Sequence, residues 1–203
     1  MKDNALLPLG LLAGGLLIAA AVKAKRSVNT TPTVRQIEAA IEGMLAQERA
    51  SRPVELVQTI AQAIHAACAE QGLDPALLIA SGYTESRYNP RAVSSIGARG
   101  VWQQLPQYGR FYSDACWDTA ANRPGCSWSE ASALPQEPDL YVYDVPQAAR
   151  ISARHFGYLM RRYGSLREAI CRYAAGLRGE DCAAGGDYAD LLDQRMTLAR
   201  TFY

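Results

Sequence analysis

Residues 85–106 read ESRYNPRAVSSIGARGVWQQLP, and the rest of the chain is read outward from this stretch. Immediately before it, residues 74–84 read DPALLIASGYT. Asp74 is a suitable N-cap and Pro75 a suitable first helical residue, and Leu77, Leu78, Ile79 and Ala80 make the segment apolar on most sides. The pattern predicts a buried helix from Pro75 to about Ser86, with Glu85 in its last turn. A Gly-, Ser- and Asn-rich turn region follows, then the run Trp102-Gln103-Gln104. A carboxyl at the C-terminal end of a helix meets the negative end of the helix dipole, and burial disfavours its charged form. Both effects raise its pKa. A rise of two units corresponds to ~2.7 kcal/mol, which a buried domain can sustain. The alternative is a helix-end Glu neutralised by Arg87 or another arginine.

A carboxyl still protonated near neutral pH can protonate the oxygen of a glycosidic bond. Ordinary glycosidases use two carboxylates at a defined separation. Asp114, Asp118 and Asp144 are available, but none lies in a recognisable partner motif. One acid suffices where the substrate supplies its own nucleophile. A 2-N-acetyl group can stabilise the cation at the anomeric carbon, and a neighbouring hydroxyl, activated by the same Glu acting as base, can then attack. That chemistry belongs to polymers of N-acetylated amino sugars.

Residues 5–22, ALLPLGLLAGGLLIAAAV, carry no charge. At ~1.5 Å per residue they just span a hydrocarbon core of ~30 Å. A transmembrane anchor (residues 1–26) is the expectation, with a cleaved signal peptide as the alternative. Lys23, Lys25 and Arg26 follow the run, and the positive-inside rule would then hold the remainder in the cytoplasm, against the evidence of the cysteines. Signal cleavage, an overridden bias, or delivery within a phage particle would each resolve this. Residues 27–33 read as a linker, and 34–203 as one helical domain large enough to bury its own core.

Within that domain, apolar spacing predicts helices from Val34 to about Ala50 and from Val54 to Glu70. Tyr108 to Asp139 reads as a long irregular loop, functional or covalently tied. Leu140 to Val145 alternates like a short strand. Further helices are expected from Gln147 to Tyr163, from Ser165 to Ala175 and from Tyr188 to Thr201. The count is about seven, with little strand, so the fold class is mainly α.

The five cysteines form no CxxC pair and show no Cys/His metal spacing. No metal site and no cofactor are expected. Cys116 with Cys126, and Cys171 with Cys182, would close short loops, a pattern that suits an oxidising compartment. Cys68 is left as a small buried hydrophobe. A formal net charge of +1 gives no reason to expect nucleic acid as a partner. Arg87, Arg91, Arg99 and Arg110 cluster around the motif, either as a solvated rim or as a mildly basic cleft edge.

The motif residues Glu85-Ser86, Tyr88-Asn89-Pro90, Ala92, Ser94 and Gly97-Ala98-Arg99-Gly100-Val101-Trp102-Gln103 together resemble the signature of the soluble-lytic-transglycosylase family. A second segment, Ala169 to Gly176, resembles the family's A-Y-N-x-G. The resemblance covers roughly Val54 to Tyr203. It implies a goose-type lysozyme-like fold, α+β but mainly helical, with a catalytic cleft. It also implies cleavage of the β-1,4 bond between N-acetylmuramic acid and N-acetylglucosamine in peptidoglycan, with a 1,6-anhydro product. By position, Glu85 matches the single acid/base and Ser86 the residue beside it that orients the site. Gln103 matches a sugar contact, and Tyr173 the Tyr whose hydroxyl lies near the acid. Gly97 and Gly100 would keep the backbone close to the glycan, and Trp102 either lines a sugar subsite or packs. Two positions depart from the pattern. Ala174 replaces the Asn of A-Y-N-x-G, and Gln104 stands where the family has an apolar residue. Two other functions stay open: a goose-type lysozyme in which water attacks, and a non-catalytic peptidoglycan-binding or assembly module. Expected partners are glycan strands, the membrane through residues 5–22, and a larger assembly such as a secretion apparatus or phage particle.

Overall fold

The computed structural model describes residues 31–134, 143–175 and 186–203. Thr33 starts the first helix: its side chain accepts from the Gln36 backbone N–H while Gln36 reaches back to the Thr33 N–H, closing a capping box. Helix α1 (Val34–Gln47) buries Ile37, Ile41, Met44 and Leu45. It packs on α2 (Val54–Gln71), which begins after Pro53 and ends at Gly72, where φ is +66°. Helix α3 (Pro75–Ser86) has every residue from Pro75 to Tyr83 buried, as its composition predicts, and Asp74 caps it by accepting from Ala76 N–H.

Two short helices, α4 (Pro106–Phe111) and α5 (Trp128–Ala133), and a two-residue antiparallel pair, β1 (Trp117–Asp118) with β2 (Arg123–Pro124), break up the region expected to be irregular. Three long helices follow: α6 (Val145–Tyr163), α7 (Leu166–Ala175) and α8 (Gly186–Arg200). Helix α6 lies along α2 and carries α7, and α8 packs against α3. The described part is thus a mainly helical domain, and α3 runs through its core.

Two sequence expectations are adjusted, and a third lies outside the described residues. Of the segment expected as a strand, 140–145, residues 140–142 lie outside the described residues, and Val145 opens α6 because Asp144 accepts from Gln147 N–H and Pro146 fixes the first turn. The anchor or signal segment also lies outside the described residues. Among the described residues, no helix is long and apolar enough to cross a membrane. The second adjustment is local helix in the 108–139 loop, where Ser127 and Glu130 form a capping box that hydrophobic periodicity does not reveal.

That loop is tied down in two ways. Cys116 and Cys126 form a disulfide, as the spacing suggested, with Cα atoms 5.3 Å apart. Arg154 of α6, nearly fully buried, donates to Glu70 (3.0 Å), to Asp114 (2.8 Å) and to the Tyr112 carbonyl (3.2 Å). Its guanidinium also lies 5.1 Å from the Trp117 ring centroid. A buried cation needs this set of partners, because an unpaired one would lose its hydration without return. The pairing Cys171–Cys182 involves Cys182, which lies outside the described residues. Cys68 is a buried free cysteine whose thiol burial pushes up, consistent with a packing role. Replacing Cys116 and Cys126 together by Ser should lower stability by about 2–3 kcal/mol, read by denaturant unfolding. Unchanged stability would mean that Arg154 and its partners alone order the loop.

Candidate active site

Glu85 occupies the last turn of α3, where the helix stops because Arg87 turns left-handed, with φ +51°. Tyr88 follows in the same region, with φ +58°. Its ring is fully buried and its hydroxyl donates to the Ile79 carbonyl at 2.9 Å, anchoring the turn back onto the helix that precedes it. The turn packs closely: a Cβ added at Gly82 would lie 3.1 Å from both Tyr88 and Val101. Ser86 links helix and turn. Its Oγ donates to the Val101 carbonyl (2.8 Å) and accepts from Asn89 N–H (2.9 Å).

Residues 92–104 are knitted by backbone bonds. Ser94 N–H donates to the Ala98 carbonyl, Gly100 N–H to the Ala92 carbonyl, and Arg99 and Gln104 exchange both bonds at 3.0 Å. Gly97 and Gly100 have φ of +84° and +76°, so their observed role is to allow the turn itself. Gln103 is also left-handed, at φ +46°, and its amide donates to the Gly100 (2.9 Å) and Ala92 (3.2 Å) carbonyls. Trp102 is corrected as a candidate sugar platform. Its side chain has 0% exposure and its indole N–H donates to the Leu78 carbonyl at 3.0 Å, so neither face is open to a ligand.

Glu85 itself is partly buried. Its Oε1 accepts from the Tyr188 hydroxyl at 2.5 Å. Burial raises its pKa above the ordinary carboxylate value, and the Tyr188 bond, which favours the charged form, offsets part of that rise. Among the described residues no ion pair reaches it. Arg87, the nearest candidate in sequence, pairs with Glu48 instead. Arg99 lies over the Tyr143 ring, 5.9 Å from its centroid.

Tyr173 of α7 stands close enough for the Glu85 charge to add to the effect of burial in raising its pKa. Its ring stacks on Phe156, with centroids 4.0 Å apart, and leans on His155 at 5.0 Å. Its hydroxyl donates to the Trp102 carbonyl (3.0 Å) and accepts from the Gln104 amide (2.7 Å). His155 is buried among Tyr108, Tyr112 and Tyr173, and burial holds its pKa down to about 3, so the ring is neutral. Ala174, where an Asn was expected, is exposed.

The three aspartates considered as a second carboxylate are all engaged elsewhere. Asp114 pairs with Arg150 and Arg154, Asp118 accepts from Ala121 N–H, and Asp144 caps α6. No group of three His, Cys, Asp or Glu side chains among the described residues could hold a metal ion. The arrangement therefore offers one carboxyl with a raised pKa, in hydrogen-bond contact with a phenol and near a second one. Chemically it can deliver a proton and take one back.

Sequence reasoning overlooked Tyr188, which comes 103 residues after Glu85 and reads only as the start of a helix. It also overlooked the link from Gln104 to Tyr173. The departure at Gln104 was visible, but its partners come from distant elements.

A family model described as Transglycosylase SLT domain matches residues 62–189. No curated protein matches the chain. The matched span runs from within α2 to the start of α8, covers more than half of the chain and contains Glu85, Tyr173 and Tyr188; the chain belongs to the transglycosylase SLT domain family.

Proposed function

We propose that this protein is a lytic transglycosylase that cleaves the β-1,4 bond between N-acetylmuramic acid and N-acetylglucosamine in peptidoglycan, with Glu85 as its single acid/base. The observation that carries this reading is the state of Glu85: a half-buried carboxyl with a raised pKa, one phenolic hydrogen bond and no cationic partner among the described residues. A carboxyl held in this way is protonated over a wider pH range than an exposed one, as a general acid requires.

In the first step Glu85 gives its proton to the bridging oxygen, and the bond from that oxygen to the anomeric carbon of the muramic acid breaks. The 2-N-acetyl group shares the positive charge. In the second step the 6-hydroxyl of the same sugar bonds to the anomeric carbon and returns its proton to Glu85. The enzyme ends as it began, no water is consumed, and the products are an anhydro end and a free N-acetylglucosamine end. The Tyr188 hydroxyl stabilises the carboxylate between the steps. Ser86, Gln103, Gly97 and Gly100 act by shaping the turn beside the acid, with Gln103 also available to the sugar at its partly exposed side.

Tyr188→Phe tests the electrostatics. Glu85 must be protonated to start the reaction, so the rate falls as pH rises through its pKa. Removing a donor that favours the carboxylate raises that pKa further. The falling alkaline limb of kcat/KM should therefore move to higher pH, by roughly one unit for a hydrogen bond to a charged group. A limb that stays in place would mean that another group sets it.

The disulfide Cys116–Cys126 supports a domain working on the cell-wall side of the membrane, anchored through residues 5–22 or exported after cleavage. Local opening of the wall for a larger assembly, a secretion apparatus or a phage entry device, is part of this proposal. It is motivated by the apolar N-terminal run and should be dropped if the full chain crosslinks to no such assembly in its host. Muropeptide analysis separates the possible chemistries: anhydro ends mean transglycosylation, reducing ends hydrolysis by water, and binding without new ends a non-catalytic module.

A further inference from the structure

We infer that Gln104 is a positioning residue that sets the Tyr173 hydroxyl beside Glu85, an inference that rests on the transglycosylase reading above. Gln104 is 3% exposed. Its single amide nitrogen donates to two side chains on different helices, Ser152 Oγ of α6 at 2.9 Å and Tyr173 Oη of α7 at 2.7 Å. Its backbone is locked to Arg99 by two bonds of 3.0 Å, so the amide is presented from a fixed point on the motif turn.

The proton arrangement at Tyr173 follows from this. The phenolic oxygen receives a proton from Gln104 and sends its own to the Trp102 carbonyl at 3.0 Å. Both partners are contributed by the turn that follows Glu85, so turn and phenol hold each other in register across 69 and 71 residues of sequence. With its proton committed to Trp102, Tyr173 turns its oxygen, not its hydrogen, to the rest of the site. The hydrogen bond to Glu85 comes from Tyr188. The two phenols thereby have separate tasks: Tyr188 bonds the carboxyl, and Tyr173 forms a wall whose polarity Gln104 fixes.

An apolar residue at 104 would fill similar space but supply no proton. Tyr173 Oη would then keep only its bond to the Trp102 carbonyl and lose the donor that fixes it from the other side, and Ser152 would lose its donor too. Because Gln104 is buried, it acts on substrate only through Tyr173. Its loss should therefore disturb the transition state more than ground-state binding.

The test uses the full chain on purified peptidoglycan. Gln104→Leu should lower kcat roughly tenfold, with KM changed less than about twofold, as expected for a small misplacement beside the reacting atoms. Gln104→Met, closer in shape, should do the same and carries the test if the Leu variant does not fold. In a Tyr173→Phe background the Gln104 change should have no further effect on kcat, because the hydroxyl it positions is gone. A purely structural Gln104 would instead lower the melting temperature, leave kcat per folded molecule unchanged and act additively with Tyr173→Phe. That outcome would overturn this inference alone. A wild-type chain that releases no anhydro ends, while binding glycan, would overturn the functional reading and this inference with it.

Discussion

Glu85→Gln should abolish release of anhydro ends, with a fall of about a thousandfold or more, while leaving the fold intact. The size follows from Glu85 being asked to serve both steps. General acid–base catalysis contributes about 10²- to 10⁴-fold per group, and here one group serves both steps. Asp114, Asp118 and Asp144 are all held by other partners. The amide matches the carboxyl in shape and can still accept from the Tyr188 hydroxyl. A second consequence has a definite sign. Burial raises the folded-state pKa of Glu85 above its unfolded value. At a pH below both values the two states hold the proton alike. As pH rises through the folded-state pKa, the unfolded state ionises more readily and wild-type stability is lost. Gln cannot ionise, so the variant should gain stability relative to wild type as pH rises, and thermal unfolding at pH 4 and pH 8 would read the difference. An inactive variant that is also unfolded would leave the role of Glu85 unsupported; a folded variant with full activity would contradict it.

Trp102→Ala should be the most destabilising single change in the motif, at about 3–5 kcal/mol. A typical domain holds only about 5–15 kcal/mol in total. The indole is fully buried in the main core and its N–H is bonded to the Leu78 carbonyl of α3. Truncation leaves a large cavity between the turn and the helix that carries Glu85, and removes the bond that ties the turn to the Leu78 carbonyl. The melting temperature should fall by roughly 10–15 °C. A variant with unchanged melting temperature and weakened glycan binding would contradict the assignment and return Trp102 to the sugar-binding surface.

Much of this molecule was legible because its signals are local. Asp74-Pro75 and the apolar run after it define α3 with its buried face, and the motif that follows places Glu85 at its end. Gly72, a residue suited to a left-handed C-cap, ends α2. The pair Cys116 and Cys126 is close enough in sequence to suggest its own bond. What stayed hidden depends on contacts between distant segments. Tyr188 reaches Glu85 because α8 packs on α3, and no residue near Tyr188 announces that packing. The fate of Trp102 was undecidable from sequence, since an aromatic beside a binding motif suits a sugar face and a core equally. Arg87 looked like the natural counter-ion of Glu85, but the left-handed turn at Arg87 sends its side chain to Glu48 of the segment after α1. Gln104 read as a departure from a pattern, and only the positions of α6 and α7 give its amide two partners.

The most direct test of the central claim is mass spectrometry of the muropeptides released from purified peptidoglycan by the full chain, with Glu85→Gln alongside. The account predicts 1,6-anhydromuramic ends from the wild type and none from the variant. Reducing ends, or anhydro ends that persist in the variant, would contradict it.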